Sequence, residues 1–195
     1  MKKDLSNGYQ RIAETFIAAR GVHSAGVGTD QIRVWAQMLA KEAKVLDVGC
    51  GTGIPLTAVL MQEGLQVFAI DASATLIDAF KANFPTAQVA CAAAEESDFF
   101  GKKFNGILSW GMIFLLSEEN QLVVLEKMAK ALLPGGKLLF TAPKQQVEWM
   151  DVLTGELSRS LGKETYVQLL SQFGLQLTET FEDDGGNHYF SFNVR

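Results

Sequence analysis

The chain is short of the residues that several functions need. Of its 195 residues only two are cysteine, Cys50 and Cys91. That is too few for a disulfide framework or a four-cysteine zinc site, and no metal centre is expected. With no secretory leader pattern at the start, the two thiols point to a reducing, cytoplasmic setting. Basic residues are outnumbered, 17 against 22, for a net charge of −5, and adjacent pairs occur only at Lys2-Lys3 and Lys102-Lys103. Nucleic-acid binders carry a basic face, so nucleic acid is not an expected partner. The longest uncharged apolar stretch, Phe104 to Ser117, is too short to span a bilayer and is interrupted by Asn105, Gly106 and Gly111. Histidine is scarce too, with His23 and His188 alone. No low-complexity run or internal repeat appears.

What the chain does have is the make-up of one folded domain, 48% hydrophobic and 20% charged. Residues 1–42 have helical spacing: Leu5, Tyr9, Ile12, Phe16 and Ala19 recur on one face, and Gly21, Gly26 and Gly28 then interrupt. A second helix is expected from Thr29 to Lys41, capped by Thr29 or Asp30, with Ile32, Trp35, Met38 and Leu39 inward. From residue 43 onward apolar strands alternate with helices. Strands are predicted at Lys44–Val48, Gln66–Asp71, Gln88–Cys91, Phe104–Ser109 and Lys137–Thr141. Helices are predicted at Pro55–Glu63, Ser73–Asn83 and Glu118–Leu132. Nearly continuous apolar strands joined through helices indicate a parallel sheet covered on both faces. After a helix at Lys163–Phe173, the strands Leu175–Phe181 and Asn187–Val194 are joined by a link too short for a crossover, so they must be antiparallel. Residues 144–160 read as a small helical insertion over the sheet's ligand edge.

The informative stretch is Asp47-Val48-Gly49-Cys50-Gly51-Thr52-Gly53. A strand runs straight into a turn with alternate glycines, and a helix follows, at the strand end where doubly wound sheets bind ligands. A dinucleotide fingerprint would require glycine at position 54, which is Ile54, and a phosphate loop would require a lysine, which the turn lacks. The turn therefore suits a nucleoside ligand without phosphates. Asp71 ends the second strand, Val67-Phe68-Ala69-Ile70-Asp71, about 20 residues on, where a carboxylate can accept from both ribose hydroxyls. The alternative role for Asp71 is to cap the next helix, which Ser73 could also do.

With these residues in view the chain resembles the class I S-adenosylmethionine-dependent methyltransferases. The resemblance runs through the glycine turn, the acidic end of the second strand, Phe104-Asn105-Gly106-Ile107-Leu108-Ser109 and Leu132-Leu133-Pro134-Gly135-Gly136-Lys137-Leu138, and it extends to the antiparallel final strands. It implies an α/β fold with a doubly wound, mostly parallel seven-stranded sheet, an antiparallel last strand, helices on both faces and an N-terminal helical lid. On this basis 1–42 would be the lid and 43–195 the Rossmann-like core, with 144–160 as the insertion. It implies S-adenosylmethionine as cofactor and S-adenosylhomocysteine as product. Asp47, Gly49, Cys50, Gly51 and Gly53 would lie along the cofactor, Asp71 on the ribose and Ala72 beside the adenine, with Ser109 at the end of the fourth strand. Where the family usually has an acidic or polar residue near the adenine amino group this chain has Ala93, so Glu95, or the main chain at Ala94, would replace it. Asn105 likewise stands where aspartate is commoner.

The acceptor is less determined. No Asn/Asp-Pro-Pro-aromatic motif follows the fourth strand, where Ser109-Trp110-Gly111-Met112 stands, and no cysteine nucleophile lies there. A small-molecule acceptor is expected, with Trp110 and Met112 walling its pocket and Phe114 in the core. If a general base is needed, the candidates are His188, His23 and Tyr9. A non-enzymatic cofactor-binding module, a protein methyltransferase and aminopropyl transfer remain as alternatives.

Overall fold

The computed structural model describes residues 4–20 and 26–195. Before the first strand come two helices, α1 (Tyr9–Arg20) and α2 (Thr29–Gln37). Strands β1 (Lys44–Val48), β2 (Gln66–Asp71), β3 (Gln88–Cys91), β4 (Phe104–Ser109) and β5 (Leu132–Thr141) follow. Between them lie α3 (Leu56–Gln62), α4 (Ala74–Asn83) and α5 (Glu118–Ala131). A hairpin, β6 (Gln146–Met150) and β7 (Leu157–Leu161), precedes α6 (Lys163–Ser171), β8 (Leu175–Glu182) and β9 (His188–Val194). The main sheet has seven strands in the order β3-β2-β1-β4-β5-β9-β8, and β9 runs antiparallel to both its neighbours. Among the described residues no helix is long and apolar enough to cross a membrane.

Strand residues alternate between two cores. Val45, Val67, Leu108 and Leu139 face α2 and α3, where Ile32, Trp35 and Leu60 are buried against them. Leu46, Phe68, Ile107 and Leu138 face the other way, onto Val124, Leu125 and Met128 of α5 and Tyr166 of α6. Both faces of the central strands are dry, which is why these strands read as continuous apolar runs instead of alternating ones. β9 enters between β5 and β8 because its aromatic residues extend this second core: Phe140 of β5 stacks on Phe190 at 5.1 Å and on Phe192 at 6.1 Å.

The chain passes from β1 to β2 on one side and from β3 to β4 on the other, so the strand order reverses between β1 and β4. That reversal leaves a crevice at their carboxyl ends. The glycine turn sits there, fixed across the end of β2 by the Gly49 and Cys50 amides, which both donate to Ile70 O at 2.9 and 3.0 Å.

Two expectations fail. Residues 146–161 are a β-hairpin and not a helix, with Val147 opposite Ser160 and Trp149 opposite Ser158. Its turn is closed by Asp151, whose Oδ1 accepts from Leu153 N and Thr154 N, and by Gly155 at φ 71°. A self-bonded aspartate turn between two short alternating segments is hairpin chemistry. The helix α2 is shorter than its pattern suggests, and Gly28 occupies the cap position in place of Thr29 or Asp30, with no side-chain cap. The Thr29 hydroxyl instead donates backwards to Gly26 O. Ala36 takes the inward place expected of Met38, which is exposed.

Candidate functional site

A cavity opens at the carboxyl ends of β1, β2 and β4. The glycine turn, Asp47, Asp71, Ala72, Ala94 and Glu95 line it, and so do Tyr9, Trp110 and Met112. The fold thus brings together residues that lie far apart in the sequence, from Leu5 to Asn187. Ser109 is close by but does not reach the cavity: it is buried, and its hydroxyl donates to Val48 O at 3.0 Å, bracing β4 on β1. His188 is off the site. Its Nδ1 lies 3.2 Å from Glu182 Oε1 and its ring packs edge-on to Phe190, on the α5–α6 side. His23 lies outside the described residues. Phe114, expected in the core, is half-buried, packs on Trp149 at 5.4 Å and also lines the cavity.

Asp71 holds the turn in shape. Its Oδ2 accepts from Gly51 N at 2.9 Å and its Oδ1 from Ser73 N at 2.8 Å. Ser73, not Asp71, caps α4, its hydroxyl accepting from Leu76 N. A carboxylate offers about four acceptor positions, so Asp71 keeps accepting capacity for a ligand. Burial raises the Asp71 pKa, and the amides of Ser73, Gly51 and Ala72 oppose that rise. Cys50 is pushed well up, by burial first and then by Asp47 and Asp71, so it is a thiol and no nucleophile.

Asp47 is buried and receives the Thr57 hydroxyl at 2.6 Å. Burial lifts its pKa from 3.8 to about 6, against the pull of Thr57 and with a further push from Asp71. The folded protein therefore keeps a proton there that the unfolded chain has released. The stability contributed by this group is complete below pH 3.8 and is lost as pH rises through about 6. The loss should reach about 3 kcal/mol. Asp47→Asn, which keeps an acceptor for Thr57, should remove it. Urea unfolding of ligand-free protein at pH 4 and pH 7 checks this: the variant's advantage over wild type should grow with pH, and a flat difference would show that Asp47 ionises at no cost.

At the other end, Glu95 accepts from Asn120 Nδ2 through Oε1, while its buried Oε2 has no partner. The main-chain alternative is less open, because Lys127 Nζ donates to Ala94 O and Glu95 O at 3.0 and 2.8 Å. Ala93 is buried and does not line the cavity. Trp110 is fixed by a relay: its Nε1 donates to Tyr189 Oη at 2.8 Å, and Tyr189 donates to Asp183 Oδ2 at 2.7 Å. Burial raises the Tyr189 pKa, with Asp183 adding to the rise, so this hydroxyl stays protonated.

Helix α1 lies over the cavity and is tied on two sides. Gln10 donates to Thr75 Oγ1 at 2.7 Å and accepts from Ser73 Oγ at 3.0 Å, while Arg11 donates to Thr154 O at 2.7 Å. Tyr9 and Phe16, edge-to-face at 5.4 Å, form its cavity side. Sequence reasoning missed Phe16, Asn7, Asp151 and Asn187 as lining residues. None carries a local motif, and three belong to segments whose docking is set by contacts distant in sequence. Among the described residues no cluster of three or more His, Cys, Asp or Glu side chains could hold a metal.

Residues 45–136 match a family model described as a methyltransferase domain. The fold is similar to that of a TehB-like SAM-dependent methyltransferase from Corynebacterium glutamicum, with a TM-score of 0.68 and 21% identity over 98% of this chain and 97% of that one. It is also similar to the 1,6-didemethyltoxoflavin-N1-methyltransferase of Burkholderia thailandensis, whose structure has bound 1,6-didemethyltoxoflavin and S-adenosylhomocysteine (TM-score 0.71, 16% identity, 100% and 91% covered). A third likeness is to the CcbJ methyltransferase of Streptomyces caelestis (TM-score 0.73, 14% identity, 100% and 99% covered). A search of curated proteins finds no match.

Proposed function

We propose that this chain, a class I S-adenosylmethionine-dependent methyltransferase by its fold and by the match over residues 45–136, moves a methyl group from S-adenosylmethionine to a small molecule. The observation that carries the reading is the pairing of Asp71 with Gly51. The acid shapes the glycine turn and still has acceptor positions at the cavity. In this reading Asp71 takes the ribose hydroxyls, Ala72 lies beside the base, and the unpartnered Glu95 Oε2 receives the adenine amino group. Gly49, Cys50, Gly51 and Gly53 cradle the methionine portion, with the Asp47 carboxylate beneath its ammonium.

The cofactor would supply a methyl group already activated by a positive sulfur, so the protein needs to align the acceptor in line with it and keep water out. The walls available for that are Trp110, Met112 and Phe114 after β4, and Tyr9 and Phe16 of α1, which would act as a lid. A binding-only role is less well supported, because the cavity continues past the glycine turn to these walls instead of being filled by side chains. Small-molecule acceptance is supported by the 1,6-didemethyltoxoflavin-N1-methyltransferase of like fold. We place the reaction in the cytoplasm, in keeping with the two free cysteines.

Calorimetric titration tests the reading. S-adenosylmethionine and S-adenosylhomocysteine should both bind, and NAD should not. Tight binding of NAD with none of S-adenosylmethionine would overturn it.

A further inference from the structure

The cavity wall is charged with one sign only. Asp47, Asp71, Glu95 and Asp151 reach it, and among the described residues no lysine, arginine or histidine does. The first three fall along the cofactor in the reading above. Asp151 does not. It comes from the turn of the β6–β7 hairpin, which packs under α1 on the acceptor side.

Asp151 is only 8% exposed. Its hydrogen bonds from Leu153 N, Thr154 N and the Thr154 hydroxyl, at 2.9, 2.8 and 3.1 Å, all end on Oδ1. The second oxygen receives none of them. Arg11, the cation that α1 brings to this turn, is spent on Thr154 O and Glu156. Among the described residues no cation contacts this carboxylate, and its second oxygen, on the cavity side, keeps accepting capacity for a positive group or an N–H donor. In the lining of the same cavity, Asn7 carries a buried Nδ2 with no partner, a donor free for an oxygen. Trp110, Phe114 and Tyr9 supply aromatic surface, which favours apolar bodies and cations alike.

We propose that the methyl acceptor is a small amine with an apolar, ring-sized body: bound as its ammonium on the free oxygen of Asp151, it passes one N–H proton to that oxygen, and the nitrogen lone pair so freed takes the methyl group as the methyl–sulfur bond breaks with its electron pair left on sulfur, while an oxygen substituent, where the amine has one, is held by Asn7. This rests on the methyl-transfer reading and narrows it. With the cofactor in place, an anionic acceptor such as a carboxylate or a phosphate meets Asp151 on its own side of the cavity and, among the described residues, no lysine, arginine or histidine, and is disfavoured. The hairpin is then the specificity element: it places the one charged acceptor contact, while the sheet holds the cofactor.

The test uses full-length protein saturated with S-adenosylhomocysteine at pH 7, titrated by NMR with benzylamine, benzyl alcohol and benzoate. These probes share a body and differ in charge. Benzylamine should bind roughly ten- to a hundredfold tighter than benzyl alcohol, the usual range for a charge-assisted contact, and benzoate should bind weakest. In Asp151→Asn, which keeps the Oδ1 acceptor of the turn, the preference for the amine should collapse towards onefold with S-adenosylhomocysteine affinity unchanged. Equal binding of alcohol or benzoate by the wild type, absence of binding by all three, or a preference surviving in the folded variant would overturn the proposal. The wild-type comparison decides even if the variant does not fold. A protein that takes up no S-adenosylhomocysteine fails before any amine is added, and that failure is the methyl-transfer reading's own.

Discussion

Asp71→Ala is expected to weaken S-adenosylmethionine binding roughly ten- to a hundredfold while the protein stays folded. Two losses add up in the ligand's site. The ribose loses a charged acceptor, and hydrogen bonds of that kind are worth about 1.5–3 kcal/mol. The turn loses the bond that holds the Gly51 amide, so the cradle is less well formed before the ligand arrives. The fold loses little. Ser73 caps α4 without help, and burial already makes the Asp71 charge expensive in the empty site. Titration calorimetry gives the dissociation constant and a thermal melt the stability. An unchanged constant in a folded variant would reduce Asp71 to a brace for the turn.

The residues of this prediction were legible in the sequence because their signals are local. A strand that ends in alternating glycines, and a second strand that ends in an acid, are patterns contained in a few neighbours. The sheet was legible for the same reason. Dry parallel strands such as Val45–Val48 show as apolar runs, and the short link from Glu182 to Asn187 rules out a crossover. What was not legible depends on docking. Residues 144–160 read as a helical insertion because the hairpin's five-residue strands carry too few alternations to fix a period, and its turn is defined by Asp151 bonding its own neighbours. The sequence offers His188 as a candidate base, but strand register places it with Phe190 and Phe192. The period of two along β9 puts these three on the α5–α6 face and Tyr189 on the other. The glycine-broken spacing of the N-terminal segment points to a lid. Its attachment through Gln10 to Ser73 and Thr75, beside Asp71, has no trace in the local pattern.

The glycines of the turn, alike in sequence, should separate by experiment into one that serves the fold and one that serves the ligand. At Gly53, φ is 78°, and an added Cβ would lie 2.5 Å from a ring carbon of Phe84 and 2.8 Å from two of Phe80. Phe80 is fully buried and cannot swing away. Gly53→Ala therefore meets left-handed backbone strain of about 1–2 kcal/mol and overpacking of about 1–3 kcal/mol. The melting temperature should fall by roughly 5–15 °C for a chain of this size. At Gly51, φ is 55°, well inside the left-handed region, and the nearest atom to an added Cβ is Phe16 Cε1 at 3.8 Å. Gly51→Ala meets the backbone strain alone, so its melt should fall by only a few degrees. Its methyl group, however, projects between the turn and α1, into the space assigned to the cofactor. An overpacking penalty of about 1–3 kcal/mol then falls on binding, a loss of roughly five- to a hundredfold in affinity. Melts and S-adenosylmethionine titrations of the two variants side by side decide the matter. If Gly51→Ala binds like wild type, the ligand does not pass between the turn and Phe16, and α1 is packing and not a lid.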